Sequence, residues 1–140
     1  MSAPRLFRVI LEMSDLDAGI RFYSVLLGAS GRRVSQERYY FECGPVILAI
    51  MSPEEGGRKA RPAPQPVYLS TSELDALHAR ARELNCLSAE MVHDASAGEI
   101  VTRPWGERSF YAVDPDGNGL CFVDEQPIFS GHWSEEEEEE

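Results

Sequence analysis

Three cysteines and three histidines are the side chains of this chain best suited to nucleophilic or metal chemistry, and their spacing favours neither. Cys43, Cys86 and Cys121 lie far apart with no CxxC pair. His78, His93 and His132 fall at no zinc-ligand spacing to them. An odd, scattered set of cysteines reads as reduced thiols filling core positions. Cys121 would need a neighbouring base to act as a nucleophile, and no histidine is placed to be one. His78 falls in a helical stretch, where it reads as a solvated residue. His93, in Val92-His93-Asp94, stands in a loop from which it could act as an acid or base. No Gly-rich phosphate loop or serine elbow occurs. The remaining candidates suit binding better than bond-making: Arg8, Glu12, Tyr40, Tyr68, Trp105 and Tyr111. A guanidinium anchors a carboxylate or phosphate through paired hydrogen bonds, and aromatic rings stack on planar or cationic compounds.

The elements that must position these residues come from a duplication. Residues 9–27 (VILEMSDLDAGIRFYSVLL) align with residues 67–85 (VYLSTSELDALHARARELN) at an offset of 58, with seven of nineteen positions identical. Average residue usage would give roughly one such match by chance. Each copy starts with a short alternating run, Val9-Leu11-Met13 and Val67-Leu69-Thr71, which reads as a strand with one face on a core. Ser14 and Ser72 follow as expected N-caps, with Asp17 and Asp75 three residues on in the capping-box pattern. Leu16, Ile20, Tyr23 and Leu27 fall on one face of the first helix, and Leu74, Leu77, Ala81 and Leu84 on one face of the second. Gly28 and Asn85 are placed to end them in the left-handed conformation.

Strands are expected over residues 32–36, 38–43 and 46–51 in the first half, and over 88–92, 108–113 and 120–124 in the second. Asp114-Pro115-Asp116-Gly117-Asn118 is a strong hairpin turn. Residues 54–65, rich in proline, glycine and basic side chains, read as a linker. The expected fold is α+β: one domain over 1–130, made of two tandem βαβββ halves at about 5–53 and 66–125. Residues 131–140 then form a disordered acidic tail, either a native solvating extension or an artificial one.

The chain of 140 residues carries 13 basic and 24 acidic residues, a formal charge of −11. Without residues 135–140 the count is 13 basic against 18 acidic, still the wrong sign for neutralising phosphates, so nucleic acid is not an expected partner. No apolar run is long enough to span a bilayer, and the start lacks a secretory pattern. A cytoplasmic protein with no membrane partner is expected.

Met13-Ser14-Asp15-Leu16-Asp17, Phe22-Tyr23, Leu27-Gly28, Pro104-Trp105-Gly106 and Asp114-Pro115-Asp116-Gly117-Asn118, in this order on a repeat, resemble the vicinal oxygen chelate superfamily. That superfamily contains glyoxalase I, extradiol dioxygenases and bleomycin-resistance proteins. The resemblance covers about residues 5–125 and implies that the two modules form a cupped mixed sheet whose concave face holds the ligand. Metal-using members carry a His on the first strand of each half and a Glu on the last. By the motif spacing those positions are Arg8, Pro66 and Cys121, and the matching first-half strand, residues 46–50, is aliphatic. Arginine, proline and an aliphatic side chain offer no usable ligand, and a lone cysteine does not hold a hard divalent ion. The resemblance therefore implies the fold without the metal chemistry, and no cofactor is expected.

Strand alternation puts Arg8, Ile10 and Glu12, then Pro66, Tyr68 and Ser70, then Cys121 and Val123, on the face away from the helices. Arg8 could pair with Glu12 along the strand, or anchor an anionic ligand. Trp105 could cover a sheet edge or dimer seam, or stack on a ligand in the same pocket as Arg8. The candidate ligand-binding set is Arg8, Glu12, Tyr40, Tyr68, Trp105, Tyr111 and Cys121. The expected function is a metal-free small-molecule-binding protein that sequesters a drug or metabolite. The alternative is a lyase, isomerase or dioxygenase-type enzyme with a relocated metal built from Glu12, Glu42 or His93. A homodimer, with the first strand of each half as the contact, is expected because a bare sheet edge invites pairing.

Overall fold

In the computed structural model, residues 3–53, 57–92 and 95–126 are described. The first half runs β1 (Arg8–Glu12), α1 (Leu16–Leu27), β2 (Arg32–Ser35), β3 (Arg38–Cys43) and β4 (Val46–Met51). These strands form a sheet of order β1-β4-β3-β2, in which β1 runs parallel to β4 and the others pair antiparallel. The second half repeats the plan with β5 (Val67–Thr71), α2 (Leu74–Glu83), β8 (Val101–Thr102), β9 (Arg108–Val113) and β10 (Gly119–Asp124), in the order β5-β10-β9-β8. The α+β duplication expected from the 58-residue repeat is present.

The second half departs from expectation between its helix and β9. Residues 88–92 do not form one strand. Leu87 makes a single bridge to Ala112, β6 (Met91–Val92) pairs only with β7 (Ala95–Ser96), and the outer strand is the two-residue β8 (Val101–Thr102). Local bonds explain the break: Ser88 Oγ accepts from the Glu90 N–H, and Gly98 packs so closely on the Ser88 carbonyl that no Cβ would fit there.

Both helices pack on one side of the sheets. Val9, Leu11, Phe41, Leu48 and Ile50 of the first sheet, and Leu69, Phe110, Leu120 and Phe122 of the second, face them in one apolar core. Gly19 permits the close seat of α1, since a Cβ there would lie 2.6 Å from Met13 Sδ. The helix starts fall one residue later than expected. Asp15, not Ser14, is the N-cap of α1, accepting from the Ala18 N–H at 3.1 Å. Ser14 instead donates its N–H to Asp116 Oδ1 at 2.9 Å, a contact made across the duplication. In α2 the N-cap is Glu73, without a side-chain cap bond, while Thr71 Oγ1 accepts the Glu73 N–H. Asp17 and Asp75 pair with Arg33 and Arg108. Gly28 and Asn85 end the helices in the left-handed conformation, as their types require.

The Asp114–Asn118 turn fastens the two halves together. Buried Asp114 accepts from the Tyr23 hydroxyl at 2.7 Å and from Asn118 Nδ2 at 2.9 Å, and it also takes the N–H groups of Asp116 and Asn118. Asn118 Nδ2 also donates to the Glu12 carbonyl, and its Oδ1 accepts from the Ala63 N–H. Burial and the Asp114 carboxylate push the Tyr23 phenol far above its ordinary range, so it stays a donor. His78 is buried rather than solvated. Its Nε2 lies 2.8 Å from the Gly98 carbonyl and its ring meets the Phe110 ring edge-on, because the core-facing stripe of α2 extends one position past Leu77. His93, His132 and residues 131–140 lie outside the described residues.

Candidate functional site

Strand register decides which side chains share the face turned away from the helices. In the first half Arg8 lies beside Ile47 and through it beside Glu42; Ile10 beside Ala49, Tyr40 and Arg32; and Glu12 beside Met51 and Arg38. In the second half Cys121 lies between Tyr68 and Tyr111, and Val123 between Ser70 and Ser109. Six of the seven candidate residues therefore share this face, and Trp105 is the exception.

The two halves use the face differently. In the first half, Arg8 and Glu12 do not pair with each other. Glu12 is held by the linker: Arg58 binds both its oxygens, at 2.8 and 2.5 Å, and the Arg61 N–H adds a third bond at 2.9 Å. The Arg58 guanidinium, then the Arg61 amide, hold the Glu12 carboxyl down at about 2. Glu12 is thereby spent on securing the linker. Arg8 lays its guanidinium over the rings of Tyr40 (4.9 Å) and Phe7 (4.8 Å), and among the described residues it has no carboxylate partner. Arg38 Nη1 donates to the Tyr40 hydroxyl at 3.3 Å. A cleft of about 410 Å³ opens here, its walls including Gly31, Arg32, Val34, Tyr40 and Glu42. A Cβ on Gly31 would come within 2.2 Å of the Tyr40 carbonyl, so glycine sets the spacing of this wall.

The matching face of the second half is filled from within. Arg103 is only 2% exposed; its Nε donates to Ser109 Oγ at 2.9 Å and its Nη2 to the Ser109 carbonyl at 3.1 Å, with the guanidinium 5.2 Å over Tyr111. Its Nη1 is buried without a hydrogen-bond partner among the described residues. Cys121 is 1% exposed, and burial raises its thiol above the ordinary range despite bonds to Ser109 and Tyr111. A buried, protonated thiol is not a nucleophile. Cys86 is pushed up to about 11 and Cys43 also upward, both by burial. Tyr68, 58% exposed, meets Tyr111 hydroxyl to hydroxyl at 3.3 Å. Burial, and then that contact, raise the Tyr111 phenol.

Trp105 stands on the tight turn between β8 and β9, where the Gly106 N–H bonds the Arg103 carbonyl, and its indole donates to Glu107 Oε1 at 2.6 Å. This turn is at the far side of the second sheet from β5, and neither Trp105 nor Arg8 lines the clefts described here. A separate, mostly apolar cleft of about 520 Å³ is lined by residues of both halves, including Val9, Leu27, Leu48, Leu69, Leu77 and Phe122. Parity could have found Arg38 and Arg32. Tyr39, Phe41 and Cys43 alternate as the core side of β3, which leaves Arg38, Tyr40 and Glu42 outside. Arg103 carries no such signal, because its burial depends on how an irregular segment folds back.

The model of the glyoxalase/bleomycin resistance protein/dioxygenase superfamily matches residues 5–122. The chain belongs to this superfamily. Among solved structures, a glyoxalase/bleomycin resistance protein from Albidiferax ferrireducens T118 is similar, at 22% identity and a TM-score of 0.69, over 84% of this chain and 95% of that one. A virulence protein from Salmonella typhimurium reaches 25% identity and a TM-score of 0.64, over 89% and 98%. Lactoylglutathione lyase from Agrobacterium tumefaciens reaches 22% and 0.62, over 89% and 96%. No curated protein matches the sequence. The likeness is one of fold.

The superfamily's metal positions do not fit a divalent ion in this member. Arg8 is cationic, Pro66 packs against Gly119 ahead of β5, Cys121 is buried and protonated, and the first-half equivalent is a run of aliphatic side chains on β4. Glu12 is committed to Arg58, and among the described residues no three His, Cys, Asp or Glu side chains come together. Among the described residues these positions supply no donor set for a Lewis acid.

Proposed function

We propose that this superfamily member binds a small planar anion on the open face of its first half, sequestering a drug or metabolite without a divalent metal. The observation that carries the reading is Arg8, which stands where metal-using relatives place a ligand His, with its guanidinium on Tyr40 and no acid beside it. Stacking fixes the guanidinium plane and leaves its N–H edge for in-plane oxygens. The test pairs metal analysis of dialysed protein with a thermal-shift screen of aromatic carboxylates, amines and neutral compounds on wild type and Arg8→Gln. Carboxylates should raise the wild-type melting temperature, and the variant should lose about fivefold in affinity, ~1 kcal/mol for a contact on an exposed face. Near-equimolar metal held at β1, β5 or β10, or anion binding indifferent to Arg8→Gln, would overturn the proposal. A homodimer is part of the same reading. β1 and β5 are the outer strands of their sheets, and Leu6 and Phe7 are exposed just ahead of β1. Light scattering that gives a monomer mass at high micromolar protein would count against the dimer.

A further inference from the structure

Tyr40 is surrounded by more positive charge than the binding of one anion needs. Arg32 lies directly across from Tyr40 on β2, Arg38 donates to its hydroxyl, and Arg8 covers its ring. Among the described residues only Arg33, Arg58 and Arg108 pair with carboxylates, so what sets Arg8, Arg32 and Arg38 apart is that all three gather at one ring. Arg33, the next residue after Arg32, points to the opposite face and pairs with Asp17; Arg58 pairs with Glu12, and Arg108 with Asp75 and Asp124. Among the described residues Arg8, Arg32 and Arg38 have no such partner. The acids on their face are Glu42, beyond Ile47 from Arg8, and Glu12, which Arg58 already neutralises. Between the cations lies an apolar floor that includes Ile10 and Ile47, and the adjoining cleft of about 410 Å³ is within the size range of small-ligand sites.

We infer that the compound bound here is an aromatic molecule with at least two anionic groups, one on Arg8 and another on the Arg32–Arg38 side of Tyr40. This rests on the reading that Arg8 anchors an anion, and it adds the charge class of the ligand and two specificity-determining arginines. Three guanidinia around one ring repel one another. A monoanion relieves one of them, whereas a second anionic group engages cations that would otherwise stay unpaired. The flat apolar floor favours an aromatic frame to carry those groups.

The experiment titrates full-length protein with benzoate, isophthalate and benzene-1,3,5-tricarboxylate, followed by calorimetry and by backbone amide shifts. Isophthalate should bind about fivefold tighter than benzoate, the yield of one added exposed ion pair. In Arg32→Gln and Arg38→Gln the isophthalate-over-benzoate ratio should fall from about five to about one, while Arg8→Gln should weaken all three probes. Shifts should centre on β1, β3 and β4. Equal affinity for benzoate and isophthalate, with the Arg8 dependence intact, would overturn the two-anion inference and leave the anion-binding reading standing. Benzoate binding that ignores Arg8→Gln would overturn both.

Discussion

Replacing Tyr23 by Phe removes one hydroxyl and keeps the ring that packs edge-on against Phe22 and beside Phe41. The lost bond is a 2.7 Å contact to a buried carboxylate, made between residues 91 apart in sequence and in opposite halves of the duplication. Hydrogen bonds to charged groups are worth ~1.5–3 kcal/mol. Asp114 keeps three other donors, the Asp116 and Asn118 amides and Asn118 Nδ2, so the lower end applies, about 1.5–2 kcal/mol. For a chain of this size that is a fall of about 5–8 °C in melting temperature. The assay is urea denaturation followed by near- and far-ultraviolet circular dichroism, with Tyr39→Phe as the comparison. Among the described residues the Tyr39 hydroxyl accepts only the Gly31 N–H at 3.1 Å, a neutral bond worth ~0.5–1 kcal/mol. If Tyr23→Phe falls within about 0.5 kcal/mol of wild type, below the usual worth of a net hydrogen bond, the Asp114 turn is not the fastener between the halves.

The Glu12 clamp makes a pH-dependent prediction. Folding lowers the Glu12 carboxyl from 4.5 to about 2, so its stabilising effect is complete above about pH 4.5 and is lost as pH falls through 2. Glu12→Gln should be less stable than wild type at neutral pH, and the two melting temperatures should converge on acidification; a constant gap down to pH 2 would refute the clamp. Gly31→Ala should destabilise by ~1–3 kcal/mol through overpacking, since the added Cβ meets the Tyr40 backbone, and it should also weaken binding at Tyr40; an unchanged denaturation curve would show that the wall can shift. Thiol labelling at pH 8 should be slow at Cys43 and slower still at Cys86 and Cys121, with all three reacting rapidly only in denaturant; fast labelling of native Cys121 would contradict its burial.

Local chemistry and periodicity in the sequence were enough for the modules. The 58-residue repeat, alternation along the strands, Gly28 and Asn85 as helix stops and the Asp114–Asn118 turn are all short-range signals, and each appears in the fold. Strand parity likewise placed Arg8, Glu12, Tyr68 and Cys121 on one face, because side chains on a strand must alternate. What parity cannot give is partnership across the molecule. Only the tertiary structure decided that Glu12 answers to Arg58, 46 residues away, and not to Arg8, four residues away. It also decided that Ser14 serves Asp116 instead of capping its own helix, and that His78 turns inward to Gly98. The two halves began with the same grammar, yet the irregular segment before β9 folds back and buries Arg103 against Ser109 and Tyr111, closing one face and leaving the other open around Tyr40. That asymmetry comes from long-range packing of a stretch with no hydrophobic period, which is why it can be read only once the chain is folded.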